Sequence, residues 1–256
     1  MKFFKALLFV CAITLGLPAH AEKITVAAAA DLKFAMDEIA TSFKKANARD
    51  EVEIIYGSSG KFHTQIQQGA PYDLFFSADI AFPRELAKAG LAASEVKPYA
   101  FGRIVLWSAS MDASKMTLDS LLDAKITRIA IANPKHAPYG KRAEEALRAS
   151  GVWDKVEPKL VYGENIANTA QFVKTGNAQI GIIALSLAVN TELADKGGYW
   201  LIPEMLHQPL EQGYVITKRA ESNALAKRFA DYMGSQSART VMTKYGFVLP
   251  NEVASR

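Results

Sequence analysis

The sequence predicts an α/β protein of two lobes, each a mostly parallel sheet flanked by helices. Three observations predict it. Short apolar stretches alternate with stretches of helical spacing along most of the chain, and strand–helix alternation at such spacing builds parallel sheets covered on both faces. The alternation breaks at "FGRIVLWSAS", residues 101–110, and then starts again. The third observation is bulk: 256 residues, 50% hydrophobic and 22% charged, suffice for two modest cores and argue against a disordered chain.

Each element follows from its own pattern. Lys23 to Ala28 is predicted as a strand, and from Leu32 the spacing turns helical, with Leu32, Met36, Ile39 and Phe43 on one face and Asp31 as N-cap. Glu51 to Tyr56 is a second strand, and Lys61 to Gln68 a helix that buries Phe62 and Ile66. "YDLFFSAD", residues 72–79, is a third strand, followed by a helical stretch from Pro83 to Lys88. The run 101–110 has a continuous apolar centre and is predicted to cross between lobes. Beyond it, strands are expected at Ile126 to Ala132, Lys159 to Tyr162 and Ala178 to Ala184, interleaved with helices over Gly140 to Ala149 and Ile166 to Lys174. "EQGYVITKR", residues 211–219, is the return crossing, and two closing helices, lined by Leu225, Phe229 and Met233 and by Val241 and Tyr245, pack back on the first lobe. The lobes are therefore expected over residues 22–103 with 214–256, and over 104–213. Two ordered crossings suit a hinge, because a few dihedrals absorb a rotation while each core stays intact.

The N-terminus lies outside this scheme. Lys2 and Lys5 precede an apolar run from Ala6 to Leu17, then Pro18 and Ala19-His20-Ala21, which reads as a secretory signal peptide over residues 1–21 cleaved after Ala21. Its apolar run is short for a membrane span. The single cysteine, Cys11, falls within that leader, so the exported chain has no disulfide or thiol chemistry, and the absence of a lipobox cysteine argues against a lipid anchor. A periplasmic location follows. Of the formal charge of +4, Lys2 and Lys5 contribute two; the remaining basic residues are scattered among acidic ones. Nucleic acid is therefore not an expected partner.

Ligands of parallel α/β lobes gather beyond the carboxyl ends of strands, where helices begin. Four such corners are present: Ala30-Asp31, Ser58-Ser59-Gly60, Pro138-Tyr139-Gly140 and Gly163-Glu164-Asn165-Ile166, two in each lobe. The first N–H groups of a helix lack intrahelical acceptors and suit an anion. Ser59 adds a hydroxyl and Gly60 permits close backbone approach, so the second corner is expected to hold one side of a small oxyanion; its plainer role is to cap its own helix. The spacing is not that of a P-loop, because Lys61 follows the second glycine directly.

Catalytic and metal patterns are thin. His63, His136 and His207 form no H-x-x-x-H or H-E-x-x-H pair, and no G-x-S-x-G occurs. Asp73 and Asp79 are expected to cap or orient loops, and His136 to sit in a surface turn beside a helix start. No enzymatic activity is expected. A small carboxylate ligand remains an alternative, with Lys61 or Arg103 as its cation, and a cleft enzyme is a weaker one.

The stretches "ITVAAAADLKFAMDEIATSFKK", "GSSGKFHTQIQQGAPYDLFFSAD", "IANPKHAPYGKRAEEAL", "IGIIALS" and "VMTKYGFVLP" resemble, in the same order over nearly the whole chain after the leader, the periplasmic molybdate-binding proteins of ABC transporters. The resemblance implies a two-lobe, type II solute-binding fold that closes on molybdate or tungstate and delivers it to an inner-membrane ABC permease. It implies a monomer, no cofactor, no metal cation, and molybdenum only as part of the bound oxyanion. It further implies ligation by neutral hydroxyl and backbone donors: Asp31 at the first corner, Ser59 at the second, Tyr139 at the third and the backbone of Ile166 at the fourth, with Ser58, Gly60 and Ala184 as secondary positions. Two positions depart from the family's pattern. A hydroxyl residue is common where Asp31 stands, and a carboxylate facing a dianion would repel it. Either the Asp31 side chain turns away to cap its helix and only its N–H binds, or the specificity has changed; the first is the expectation. Some relatives carry a tyrosine where this chain has Ala184, and Tyr139 is expected to supply the missing phenol.

Overall fold

The computed structural model describes residues 22–190 and 197–250. The expected leader over 1–21, with Cys11, lies outside them. Two five-stranded mixed sheets form the frame. The first contains β1 (Lys23–Ala29), β2 (Glu51–Gly57), β3 (Leu74–Ser77), β4 (Lys97–Gly102) and β10 (Leu210–Ile216), in the order β2-β1-β3-β10-β4. The second contains β5 (Ile104–Trp107), β6 (Ile129–Ala132), β7 (Leu160–Gly163), β8 (Ile180–Ala184) and β9 (Tyr199–Leu201), in the order β7-β6-β8-β5-β9. Within each, three strands are parallel and the next is antiparallel: β10 against β3, and β5 against β8.

The first sheet is covered on both faces, and the period-2 alternation of side chains divides its strands between two cores. Ile24, Val26 and Ala28 of β1, Leu74 and Phe76 of β3, and Tyr214 and Ile216 of β10 face one core. There they meet α1 (Lys33–Ala46), α8 (Ala224–Tyr232) and α9 (Gln236–Lys244) through Met36, Phe43, Phe229 and Val241. Ala27, Phe75 and Val215 face the other, against α2 (Ser59–Gln67) and α3 (Ala81–Lys88) through Phe62, Ile66 and Leu86. Around the second sheet a continuous core gathers Trp107, Ile131 and Ile182 with residues of α4 (Pro138–Ala149), α5 (Trp153–Val156), α6 (Ile166–Lys174) and α7 (Leu185–Ala188). Ala29, Ala30 and Ala78 of the first half join this core, so the two halves touch at the floor of the cleft.

Three local expectations are corrected. The run 101–110 is two strands broken at Arg103, with β4 in the first sheet and β5 in the second. The crossing is thus one residue. Likewise Leu210–Ile216 is one strand of the first sheet, so a division between Gly213 and Tyr214 cuts through it. Asp31 does not cap α1: a short 3-10 turn, Ala30–Leu32, intervenes, and neither it nor α1 receives a side-chain cap. Among the described residues no helix is long and apolar enough to cross a membrane.

Candidate functional site

Each predicted corner lies where a strand delivers the chain to a helix or turn. β1 leads to the Ala30–Leu32 turn, β2 through Ser58 to α2, β6 to α4 and β7 through Gly163 to α6. Asp31, Ser58, Ser59, Tyr139, Asn165 and Ile166 converge on a narrow cavity of about 10 Å³. A wider groove of about 650 Å³ opens at the side of the same seam, between Asp79, Phe82, His136 and Trp153, and it is lined by Lys135, Lys141 and Arg148 as well, whereas the small cavity gathers the starts of α2, α4 and α6 with no cationic side chain. Gly60 and Ala184 do not line it.

The donors can be read one at a time. Ser59 is buried, and its Oγ accepts the Ala78 N–H at 3.0 Å. That bond occupies a lone pair and leaves the hydroxyl hydrogen to be donated. Ser59 and Ile166 are the first residues of α2 and α6, so their amides have no intrahelical acceptor. In α4 the first residue is Pro138, which has no N–H, so Tyr139 provides that helix's first amide hydrogen. Asn165 caps α6, its Oδ1 accepting the Asn168 N–H at 2.9 Å.

Ser58 and Gly60 fasten one half to the other. The Gly60 N–H donates to the His136 carbonyl at 3.0 Å, and a Cβ at Gly60 would stand 2.6 Å from that oxygen. The Ser58 hydroxyl donates to the same carbonyl and lies 2.9 Å from His136 Nδ1. With its hydrogen given to the carbonyl, Ser58 must accept from the ring, which places the imidazole proton on Nδ1. Burial and nearby Lys61 hold the His136 pKa below its ordinary value, consistent with a neutral ring.

No lysine, arginine or histidine lines the cavity. Lys61 pairs with Glu164 across the seam, and Arg103 Nε lies 2.8 Å from Glu204. The two cations that a carboxylate ligand would have used are thus engaged elsewhere. Among the described residues no group of three His, Cys, Asp or Glu side chains could hold a metal ion.

Asp31 is the one formal charge in the lining, and it is 1% exposed. Its Oδ2 accepts from Tyr139 Oη at 2.9 Å and from Gln212 Nε2 at 2.8 Å, and Gln212 Nε2 also lies 3.1 Å from Tyr139 Oη. The phenol expected for a ligand is therefore donated to Asp31. Burial raises the Asp31 pKa to about 6, against the opposing pull of Gln212, Tyr139 and the Asp31 and Leu32 amides. Sequence reasoning missed Gln212. Its only local signal is a polar side chain beside Glu211, between Leu210 and Tyr214, in a strand whose far half is apolar, and the strand period alone does not say which lobe it serves.

Two sheets of matching strand order, each with an antiparallel strand that follows a crossing from the other half, and with helix starts facing a cation-free cavity, define a two-lobe, type II solute-binding protein. The family model for bacterial extracellular solute-binding proteins matches residues 24–248, and the chain belongs to that family. Among curated relatives, the molybdate-binding protein ModA of Rhodobacter capsulatus is 37% identical over 235 residues, covering 91% of each chain. That of Azotobacter vinelandii is 36% identical over 92% of this chain and 93% of its own. Among solved structures, the periplasmic molybdate-binding protein of Azotobacter vinelandii superposes with a TM-score of 0.84 at 31% identity, covering 89% of this chain and 99% of that one. A sulfate-binding protein of Mycobacterium tuberculosis shares the fold at a TM-score of 0.75 and 17% identity, covering 92% and 90%. These relatives are solute-binding proteins, and this chain is one as well, not an enzyme.

Proposed function

We propose that the chain captures molybdate, and tungstate with it, in the periplasm and hands it to an inner-membrane ABC permease. The reading takes residues 1–21 as an export leader. Among the described residues it treats 22–103 with 210–250 as one lobe and 104–190 with 197–209 as the other, because β10 lies wholly in the first sheet. The single observation that carries it is a cavity lined by a hydroxyl and helix-start amides from both halves and by no cationic side chain.

The direct donors in this reading are the Ser59 hydroxyl and the amides of Asp31, Ser59, Tyr139 and Ile166. An open cleft offers two half-sites; a tetrahedral dianion docks on one and closure brings up the other. Burying two charges is unfavourable unless each oxygen is hydrogen-bonded, so one half cannot complete the task alone. The reading takes the protein as a monomer. Hydroxyl and amide donors discriminate against an anion that keeps a proton, as phosphate partly does near neutrality, by roughly 1–3 kcal/mol per unpaired group when the Asp31 carboxyl, the one acid in the lining, is itself protonated. Sulfate carries no such proton and is selected against by size, its oxygens lying closer to the centre.

Calorimetric titration of the dialysed protein with molybdate, tungstate, sulfate and phosphate at one pH tests the reading. One-to-one binding of the first two alone is expected. Equal or tighter sulfate binding would overturn the specificity and leave the fold as described.

A further inference from the structure

We propose that capture of the oxyanion takes up a proton, and that the proton goes to the Asp31 carboxyl. The proposal rests on the oxyanion reading above. Asp31 lines the cavity, yet it is fully enclosed and no cation faces it. From α4 it meets the Tyr139 phenol; from β10, the neutral Gln212; from β4, the Tyr99 phenol, whose own ionisation the Asp31 charge opposes. From α7, the Ser186 hydroxyl donates to the Asp31 backbone carbonyl at 2.8 Å. None of these groups is positive.

The two carboxylate oxygens are unequal. Oδ2 has both side-chain donors, whereas Oδ1 is buried with no hydrogen-bond partner of normal geometry. Ionised, Asp31 leaves Oδ1 unanswered; protonated on Oδ1, it keeps both bonds on Oδ2 and loses the charge. Burial, even against the opposing pull of its hydrogen bonds, already brings its pKa to about 6. A dianion in the same cavity adds like charge, which raises the carboxyl further. Near pH 7 the free protein is therefore mostly ionised at Asp31 and the complex is protonated. The proton comes from solvent, and the only bond formed is O–H. The other titrating ring in the seam, His136, faces Ser58.

Linkage gives the pH dependence its sign. Because the complex holds a proton that the free protein lacks, affinity falls as pH rises above 6, by about tenfold per pH unit while Asp31 in the complex stays protonated. Below pH 6 it levels off.

The test is calorimetry of the whole protein with sodium molybdate at pH 7, in buffers of different ionisation enthalpy, together with dissociation constants from pH 5.5 to 8. Wild type is expected to take up between half a proton and one per oxyanion. Asp31→Asn should take up none and bind with a constant independent of pH, so that its advantage over wild type grows at least tenfold between pH 6 and 8. Gln212→Leu, which removes a donor that favours the ionised form, should move the midpoint of the wild-type profile to higher pH. Molybdate bound by wild type without proton uptake, or uptake that persists in Asp31→Asn, overturns the proposal and leaves the oxyanion reading standing. No molybdate binding at any pH overturns both.

Discussion

Taking a carboxylate out of water costs more than two neutral donors return, and Asp31 is the residue where that difference is felt. Its pKa rises from 3.8 to about 6, so between those values the folded chain holds a proton that the unfolded chain has released. Folding stability due to this group therefore grows as pH falls through 6 towards 4, and above pH 6 the group opposes folding by about 3 kcal/mol. Asp31→Asn keeps a carbonyl oxygen for Tyr139 and Gln212 and loses the charge. It is expected to raise the unfolding free energy by about 1–3 kcal/mol at pH 7.5, and by progressively less towards pH 4, measured by urea denaturation across that range. Like unit charges about 5 Å apart repel by about 3 kcal/mol at an effective dielectric of about 20. Protonating a group of pKa about 6 at pH 7 costs only about 1.4 kcal/mol, so a neighbouring dianion favours the protonated acid. At Ser59 the question is a single bond. Its oxygen is already fixed by the Ala78 amide, so Ser59→Ala removes an aligned hydroxyl hydrogen and should weaken molybdate binding by about 1–3 kcal/mol, read as a dissociation constant.

Elements meet at the site through close backbone approach, and α4 against β6 is the tightest case. A Cβ at Gly140 would stand 2.0 Å from the Ala132 carbonyl oxygen, with no flexible side chain to yield. Gly140→Ala must therefore lift the start of α4 from the end of β6. A loss of about 1–3 kcal/mol is expected, seen as a lower urea midpoint at unchanged m-value, with weaker molybdate binding because Tyr139 moves with the helix. Corners of this kind were legible in the sequence: Ser59, Tyr139 and Ile166 each follow an apolar strand run and open a helical one, and that change of period marks the carboxyl end of a strand. The unread parts have physical causes. The apolar run 101–110 straddles two sheets and carries no mark of its break at Arg103. β4 contains Pro98, which reads against a strand although an edge strand tolerates it, and β4 is an edge of its sheet. The Asp31 side chain was expected to cap a helix, but its direction is set by Gln212, 181 residues away. A local pattern cannot carry that contact.

At the scale of the molecule, both sheets repeat one order, and each takes its antiparallel strand, β5 or β10, from the chain just after it has crossed from the other half. Such a path leaves each core whole while the halves meet at a seam of modest bonds. The Lys61–Glu164 pair in that seam is about half exposed on both sides and contributes little, so a bridging ligand adds substantially to the few buried bonds, such as Tyr139 to Asp31 and Gly60 to His136, that hold the halves together. Molybdate at about a thousandfold its dissociation constant should stabilise the fold by about 4 kcal/mol, a rise of about 8–16 °C in Tm for a chain of this size, and sulfate should give no comparable rise. Gly60→Ala separates closure from folding. Its Cβ meets the His136 carbonyl of the opposite half, and rotation about the crossings near Arg103 and before Leu210 relieves the clash without disturbing either core. Scanning fluorimetry should therefore find the ligand-free Tm within about 2 °C of wild type and the molybdate-induced rise cut by at least half. A variant that melts much lower without ligand would place Gly60 in the stability of its own lobe, and an undiminished rise would show that the seam at His136 need not close for capture.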